Sequence, residues 1–406
     1  MSKNNIITAI DLGSHSIKAI AIQKRKEGEG FSVLSSNTTI SDGIKRGVIM
    51  DSDIVTEKIN QTFVKLKAQT RPQKISEVFV NIGGPHVVSR NGHGAVAISR
   101  ADQKVSKEDV QRVLDEARAI NLTDNQEIFD VFPKEFIVDQ ETGSKDVIGM
   151  KGIKLEVEAL DLCVLSIHLE KVVSSVLNAD LKIGEIVPSP IAASDVLLSP
   201  QQKELGVAVI DIGAETTGIA VYEEKNLIHV AILPVGSAHI TRDIAIALQA
   251  DIEIAEKIKK ELGGLIFTTT SKKQKIKLDN DEIFEFDTKG LVKAGKARVK
   301  EIFDLIEEEL KSIKKQDALV AGIILTGGGS KLKGIVDFAK KELKLSVKIG
   351  TPINFIGCED DPSMSVVCGL AQRGLMESID GPDSGPGFSI KKMWSFIKKI
   401  LNIFVP

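Results

Sequence analysis

The sequence predicts a two-lobed α/β fold with a ligand cleft between related halves, and three observations predict it. The chain has 406 residues, 42% of them apolar and 27% charged, enough for more than one buried core. An apolar strand, a turn of small and polar residues and a second apolar strand occupy residues 6–10, 11–16 and 17–22, and the same unit returns within 206–222, about 200 residues later. A further apolar run, 319–325, delivers Thr326-Gly327-Gly328-Gly329-Ser330. Two copies of one strand–turn–strand unit suit two halves that face a single ligand.

The elements between follow from periodicity and punctuation. Residues 51–67 read as a helix and 78–82 as a strand that ends at Gly83-Gly84-Pro85. A small unit then begins, with strands at 95–98, 135–138 and 154–163 around a helix over 106–120. In that helix Ser106 and Asp109 stand at capping-box spacing, and Val110, Val113, Leu114 and Ala117 share one face. A helix at 168–179 leads to a strand at 183–187 and the turn Pro188-Ser189-Pro190. The second half carries helical patterns at 240–248, 251–262, 294–314 and 332–342. Gly263-Gly264 stops the second of these, and the lysine-rich 271–277 reads as an exposed loop or edge. From 380 to 387 the chain is a linker of Gly, Pro, Ser and Asp.

Composition excludes several classes. Cys163, Cys358 and Cys368 form no CxxC pair, which fits buried thiols in a reducing compartment. The six histidines never approach zinc-ligand spacing. With 15 Phe, one Tyr, one Trp and a net charge of -3, the chain lacks the basic, aromatic surface of a nucleic-acid groove. No stretch approaches the roughly 20 apolar residues that cross a bilayer, and MSKNNIITAIDLG runs into a strand without a signal peptide. The protein is therefore expected in the cytoplasm.

The turns carry the chemistry. They read Asp11-Leu12-Gly13-Ser14-His15-Ser16-Ile17-Lys18 and Asp211-Ile212-Gly213-Ala214-Glu215-Thr216-Thr217. Glycine after an acid lets the backbone approach a ligand, while consecutive N–H groups and hydroxyls cradle phosphate oxygens. Asp11 and Asp211, one from each half, suit a hydrated Mg²⁺, and Lys18 offers a point charge to the same phosphates. No GxxxxGK[ST] is present, which removes the P-loop class, and no GxGxxG, which weakens a dinucleotide site.

Several further stretches accompany these turns: Gly84-Pro85-His86, Asn91-Gly92-His93-Gly94, FPKEFIVDQETGSKDVIGMKGIKLEVEAL over 132–160 and LPVGSAHITRDIA over 233–245. Together they resemble the actin, Hsp70 and sugar-kinase superfamily and, within it, the bacterial cell-division family FtsA. The 132–160 stretch is the most specific. The resemblance implies an actin-like (ribonuclease H-like) α/β fold: a first lobe from 1–84 with 164–204, an inserted subdomain at 85–163, a second lobe from 205–242 with 316–379, and its insertion at 243–315. It also implies ATP and Mg²⁺, held by Asp11, Gly13, Ser14 and Lys18 of the first loop and Asp211, Gly213, Thr216 and Thr217 of the second. Gly236, Gly327, Gly328 and Gly329 would border the adenosine, and Glu256 and Lys260 the base. The partners implied are the tubulin-like FtsZ, bound through the second lobe, other division proteins, and further copies of the chain in a filament.

Departures from the family pattern bear on catalysis. The second loop reads DIGAETTGIA where the family reads close to DIGGGTTDIA. Glu215 thus sets a carboxylate beside expected phosphates, which requires Mg²⁺ or a basic partner to compensate, and Gly218 removes an acid. Ser189 stands before Pro190 where an acid is common. These residues leave nucleotide binding in place and predict weak or absent hydrolysis, so no general base is assigned. A pilus-assembly adaptor resembling PilM and a small-molecule kinase are the alternative uses of such a fold.

After Asp383 the chain contains no acid and four lysines. On a helical wheel of FSIKKMWSFIKKILNIFVP, residues Ile390, Met393, Trp394, Ile397, Ile400, Leu401 and Phe404 fall within an arc of roughly 120°, and Lys391, Lys392, Lys398 and Lys399 lie opposite. This pattern predicts an in-plane helix over 388–406 on anionic lipid, with Lys398 and its neighbours facing the headgroups. It would hold the protein on the cytoplasmic face of the membrane.

Overall fold

The computed structural model describes residues 6–380 apart from 26–29, 72–74, 119–121, 123–124, 145–146, 269–271, 279–280, 317 and 359. The segment expected to bind membrane, with Ile390, Met393, Trp394, Ile397, Lys398, Ile400, Leu401 and Phe404, lies outside the described residues, as does 381–387 of the expected linker. No described helix is long and apolar enough to cross a membrane.

Each expected strand–turn–strand unit seeds the same five-strand arrangement, within a six-stranded sheet in the first lobe and a nine-stranded one in the second. In the first lobe, Ile7–Leu12 pairs antiparallel with Ser16–Lys24, and that strand with Phe31–Ile40. On its other side Ile7–Leu12 runs parallel to Glu77–Ile82, which runs parallel to Lys182–Pro188. The second lobe repeats this with Val207–Ile212, Thr217–Glu223 and Asn226–Leu233 as the antiparallel strands. Ile323–Thr326 and Val347–Ile349 supply its parallel side. The central strands are buried on both faces, Val207, Ala208, Val209 and Ile210 all at 0% exposure, which is why they read as continuous apolar runs rather than alternating ones. The shared register sets Asp11 opposite Lys18 and Asp211 opposite Gly218. Gly218 therefore occupies in the second lobe the place that Lys18 holds in the first.

The inserted unit leaves the first lobe after Glu77–Ile82, but its sheet continues that of the second lobe. Val88 of strand Val88–Ala97 pairs with Ala231, and Lys154–Leu165, Gln126–Val138 and Glu141–Ser144 follow in order to complete nine strands. Side chains reinforce the seam. Ser89 Oγ donates to Val230 O at 2.9 Å and contacts His229 Nδ1 at 3.1 Å, and His229 Nε2 meets Glu309 Oε2 at 3.0 Å. The helix expected in this unit forms as Lys107–Ala117, and its capping box closes: Asp109 N–H donates to Ser106 Oγ at 3.2 Å and Ser106 N–H to Asp109 Oδ2 at 2.9 Å.

The expected second-lobe segment 316–379 divides. Ile335–Leu343 stays with the second lobe, whereas Phe355–Ile356 pairs parallel with Phe31 and Ser32 of the first. The helix Ser365–Asp380 also returns there, burying Val367, Leu370 and Ala371 in the core that holds Ile10 and Ile20. Arg373 fixes it, donating from Nη1 to Glu185 Oε1 at 2.7 Å and from Nε to Asp195 Oδ2 at 2.6 Å. The lysine-rich segment forms one strand, Lys273–Lys277, of a hairpin with Ile283–Asp287. None of the three cysteines forms a disulfide, and all three are buried.

One buried acid in the insertion has no compensating hydrogen bond. Asp161 is at 0% exposure with neither carboxylate oxygen bonded. Burial pushes its pKa up to about 6, against the pull of Arg118 and Lys134. The folded protein thus holds this proton more tightly than the unfolded chain, whose carboxyl titrates near 3.8. Stability from Asp161 is fully present below that value and is lost as pH rises through about 6, a loss of up to about 3 kcal/mol. Asp161→Asn should therefore be more stable than the parent at pH 7.5 and lose that advantage at pH 4. Denaturant unfolding at the two pH values measures it, and a difference independent of pH would refute the assignment.

Candidate functional site

A cavity of about 1260 Å³ lies between the lobes, and all three small-residue turns line it. Asp11 and Asp211 reach it because each sits near the end of a buried strand, where the backbone turns at Gly13 and Gly213. Asp11 is held on two sides: Asn81 Nδ2 donates to Oδ1 at 2.9 Å, and Lys18 Nζ lies 3.2 Å from Oδ2. Asn81 is itself fixed by Leu12 N–H, which donates to Oδ1 at 2.6 Å. Burial, then the nearby Asp11 charge, push the Asp211 pKa up to about 6, with Lys18 opposing. Two acids facing one space with a single lysine between them are short of positive charge. Hard oxygen donors of this kind suit Mg²⁺. Among the described residues no group of three or more His, Cys, Asp or Glu side chains is placed to hold a metal, so water and phosphate would have to complete the coordination.

The glycine turn of the third strand approaches closely. Gly327 has φ +82°, and a Cβ there would lie 2.2 Å from Asp211 Oδ1, so any side chain would displace the carboxylate. Gly328 and Gly329 line the cavity beside it. The second loop is clamped to the start of helix Ser237–Leu248, where Ser237 N–H donates to Gly213 O at 2.9 Å and Ala238 N–H to Ala214 O at 2.7 Å. Ser14 and Thr216 line the cavity, whereas Gly236 and Thr217 stand behind its wall. Thr217 is fully buried and donates to Val235 O at 2.8 Å.

At the far end, helix Ile252–Leu262 lines the cavity with Glu256, Lys260 and also Lys259. Lys259 is the better-held cation: its Nζ lies 2.7 Å from Glu256 Oε2, 2.8 Å from Thr241 Oγ1 and 3.2 Å from Ser237 O, with the side chain 12% exposed. Lys260 is 64% exposed and 3.4 Å from Glu256 Oε1. Burial would raise the Glu256 carboxyl, but Lys259 and Thr241 outweigh it and hold it low.

The three departures find partners. Glu215 Oε2 accepts from Arg46 N–H at 2.8 Å, and Oε1 pairs with Arg242. Burial alone would raise this carboxyl, but Arg46 and Arg242 together lower it. Ser189 Oγ accepts from Asn81 Nδ2 at 2.9 Å. Gly218 lines the cavity against Pro190. Glu185 is engaged by Arg373 in the core instead of facing the cleft. Sequence reasoning missed Asn81, Lys259, Arg46 and Arg242. The polar Asn81 near the end of an otherwise apolar strand was a readable signal, and so was the i,i+3 spacing of Glu256 and Lys259.

The comparisons with known proteins agree with this layout. A family model described as cell division protein FtsA matches residues 208–369, and one described as the SHS2 domain inserted in FtsA matches residues 84–161. The chain is 31% identical over 383 residues to the cell division protein FtsA of Bacillus subtilis, covering 92% of this chain and 84% of that one. It is also 31% identical over 390 residues to that of Neisseria meningitidis, covering 93% of each. Among solved structures it is similar to a chain of the PilM-PilN type IV pilus biogenesis complex, with 17% identity and a TM-score of 0.66 over 92% of this chain and 99% of that one. It is similar too to MreB5 of Spiroplasma citri bound to ADP, with 13% identity and a TM-score of 0.57 over 93% and 99%. These likenesses show the actin-like fold.

The two neighbouring lysines give a direct test of the far end of the cavity. Lys259→Met should raise the dissociation constant of a fluorescent ATP analogue about tenfold, and Lys260→Met less than about twofold. Equal losses in the two titrations would count against the contact through Lys259.

Proposed function

Because the chain belongs to the FtsA family of cell-division proteins, we propose that it is an ATP-binding, self-associating adaptor that ties the FtsZ ring to the cytoplasmic face of the membrane. The facing pair Asp11 and Asp211, at equivalent positions of two duplicated strands, is the observation that carries nucleotide binding. ADP in MreB5, a neighbour in fold, supports the same ligand class. In this reading Asp11 and Asp211 would hold Mg²⁺, while Gly13, Ser14, Lys18, Gly213 and Thr216 would take the phosphates. Gly328 and Gly329 border the nucleoside, and Glu256 with Lys259 bind its far end. A Mg²⁺ accompanying the bound nucleotide would offset the charge of the paired acids from both sides and so favour the closed arrangement of the lobes.

Turnover is slow in this reading. A water placed against the terminal phosphate needs a group to orient it and accept its proton. At the position ahead of Pro190 stands Ser189, whose hydroxyl is engaged by Asn81 and does not accept a proton at neutral pH. ATP therefore acts as a structural ligand that sets the angle between lobes. The tail supplies the other half of the function. A single amphipathic helix binds membrane reversibly, and copies arrayed in a filament gain from effective concentration.

The full chain should pellet with liposomes containing anionic lipid and bring FtsZ down with it. Removing residues 388–406 should abolish pelleting while leaving FtsZ capture by the soluble protein intact. Equal pelleting of the shortened chain would sink the anchor, and failure of the full chain to capture FtsZ would sink the partner.

A further inference from the structure

Glu215 belongs to the second lobe, yet one of its oxygens is used by the first. Oε2 accepts the Arg46 N–H at 2.8 Å, and Oε1 is paired with Arg242 on the second lobe's own helix Ser237–Leu248. Arg46 and Gly47 form the tip of a hairpin between Ile44–Lys45 and Val48–Ile49. Both tip residues are left-handed, with φ of +49° and +72°, as a tight primed turn requires. That turn directs its two amides to different places: Arg46 N–H to Glu215, and Gly47 N–H to Ser14 Oγ at 2.8 Å. The hairpin tip thus touches both phosphate-loop candidates, one through each peptide. Its back rests on the root of the insertion, where a Cβ on Gly47 would lie 2.6 Å from Gly84 N.

We propose that Glu215 is an interlobe strut, a positioning residue by which the second lobe holds the 44–49 hairpin, and through it Ser14, so that the cleft stays closed and releases nucleotide slowly. Several features support the role. The carboxylate has both oxygens engaged, one on each lobe, so its orientation is fixed by two independent partners. Arg242 supplies the positive charge that lets an acid sit in an anion-binding loop, with Glu215 only 15% exposed and Arg242 50% exposed. A glycine, alanine or serine at 215 could not span from the loop to the hairpin, and the Arg46 N–H would then face solvent. The strut also explains why an acid is tolerated beside phosphate sites: its charge is spent on Arg46 and Arg242 and is turned away from them. Movement of the second lobe would pass through Glu215 to the hairpin and on to Gly84, where the insertion begins.

The effect on nucleotide rests on the ATP-binding reading, but the strut itself is measurable without nucleotide. In the full chain free of nucleotide, Glu215→Ala should speed amide hydrogen exchange of the peptide spanning 44–50 about fivefold, the scale of one partly solvated charge-assisted hydrogen bond. Glu215→Gln, which keeps an acceptor without its charge, should fall between the two, and it serves as the test if the alanine variant does not fold. Stopped-flow release of a fluorescent ATP analogue should accelerate by a similar factor. Unchanged exchange in both variants would overturn the strut, and faster exchange with unchanged release would overturn its control of the cleft. A parent protein that binds no ATP analogue would refute the nucleotide reading, and exchange at 44–50 would still decide whether the strut exists.

Discussion

Two carboxylates facing each other across a partly buried cleft are the constraint around which this molecule is arranged. Burial makes Asp211 costly to charge and the facing Asp11 adds to that cost, which pushes the Asp211 pKa up to about 6. Such a pair persists only where the scaffold holds it rigidly, because relaxation would move the acids apart. The duplicated sheets provide that rigidity: each acid lies near the end of a strand paired on both sides. Asn81 orients one acid, and Gly327 presses backbone against the other. A cation with phosphate oxygens around it would relieve the repulsion, so ligand binding and lobe closure draw on the same electrostatics.

Much of this was legible in the sequence, and the reasons for what was not are physical. The central strands announced themselves because burial on both faces demands unbroken apolar runs. The outer strand Phe31–Ile40 did not, since its SSNTT core is half exposed and reads like a loop. Helix Ser365–Asp380 was hidden for the opposite reason. Its first half is buried nearly all round, from Ser365 to Ala371, so it has no polar face to set a 3.6-residue period. The acids, glycines and hydroxyls of the cleft could be named because small residues after a strand have few other uses. Lys259 was passed over because Lys260 stood at the position the family resemblance implies, whereas the structure buries the i+3 lysine against Glu256, Thr241 and Ser237. Arg46 could not have been found, since it contributes a backbone amide whose identity the side chain does not encode.

The last described helix joins the parts. Val366 near its start lines the cleft, and Arg373 farther along is gripped by Glu185 and Asp195. Asp195 also meets Lys203, which in turn lies over the ring of Tyr222 on the second lobe. An ion cluster of this kind adds little to net stability over a well-packed apolar core, but loss of one partner leaves an uncompensated buried charge. Its value is geometric: it fixes the direction of a helix that begins at the cleft.

Fold does not imply function, and this architecture is shared with a pilus biogenesis protein and with MreB5 at 17% and 13% identity. A kinase built on it would need an acid poised against a substrate hydroxyl; here Ser189 is spent on Asn81, and Glu215 on Arg46 and Arg242. Of the polar groups that could have served catalysis, Ser189 is held within the first lobe and Glu215 ties the two halves together. In the proposed reading, a chain arranged in this way would hold nucleotide as a fastening between lobes, and the lysine-flanked apolar tail would make it a membrane adaptor. The same substitutions that weaken the case for an ATPase therefore strengthen the case for a scaffold.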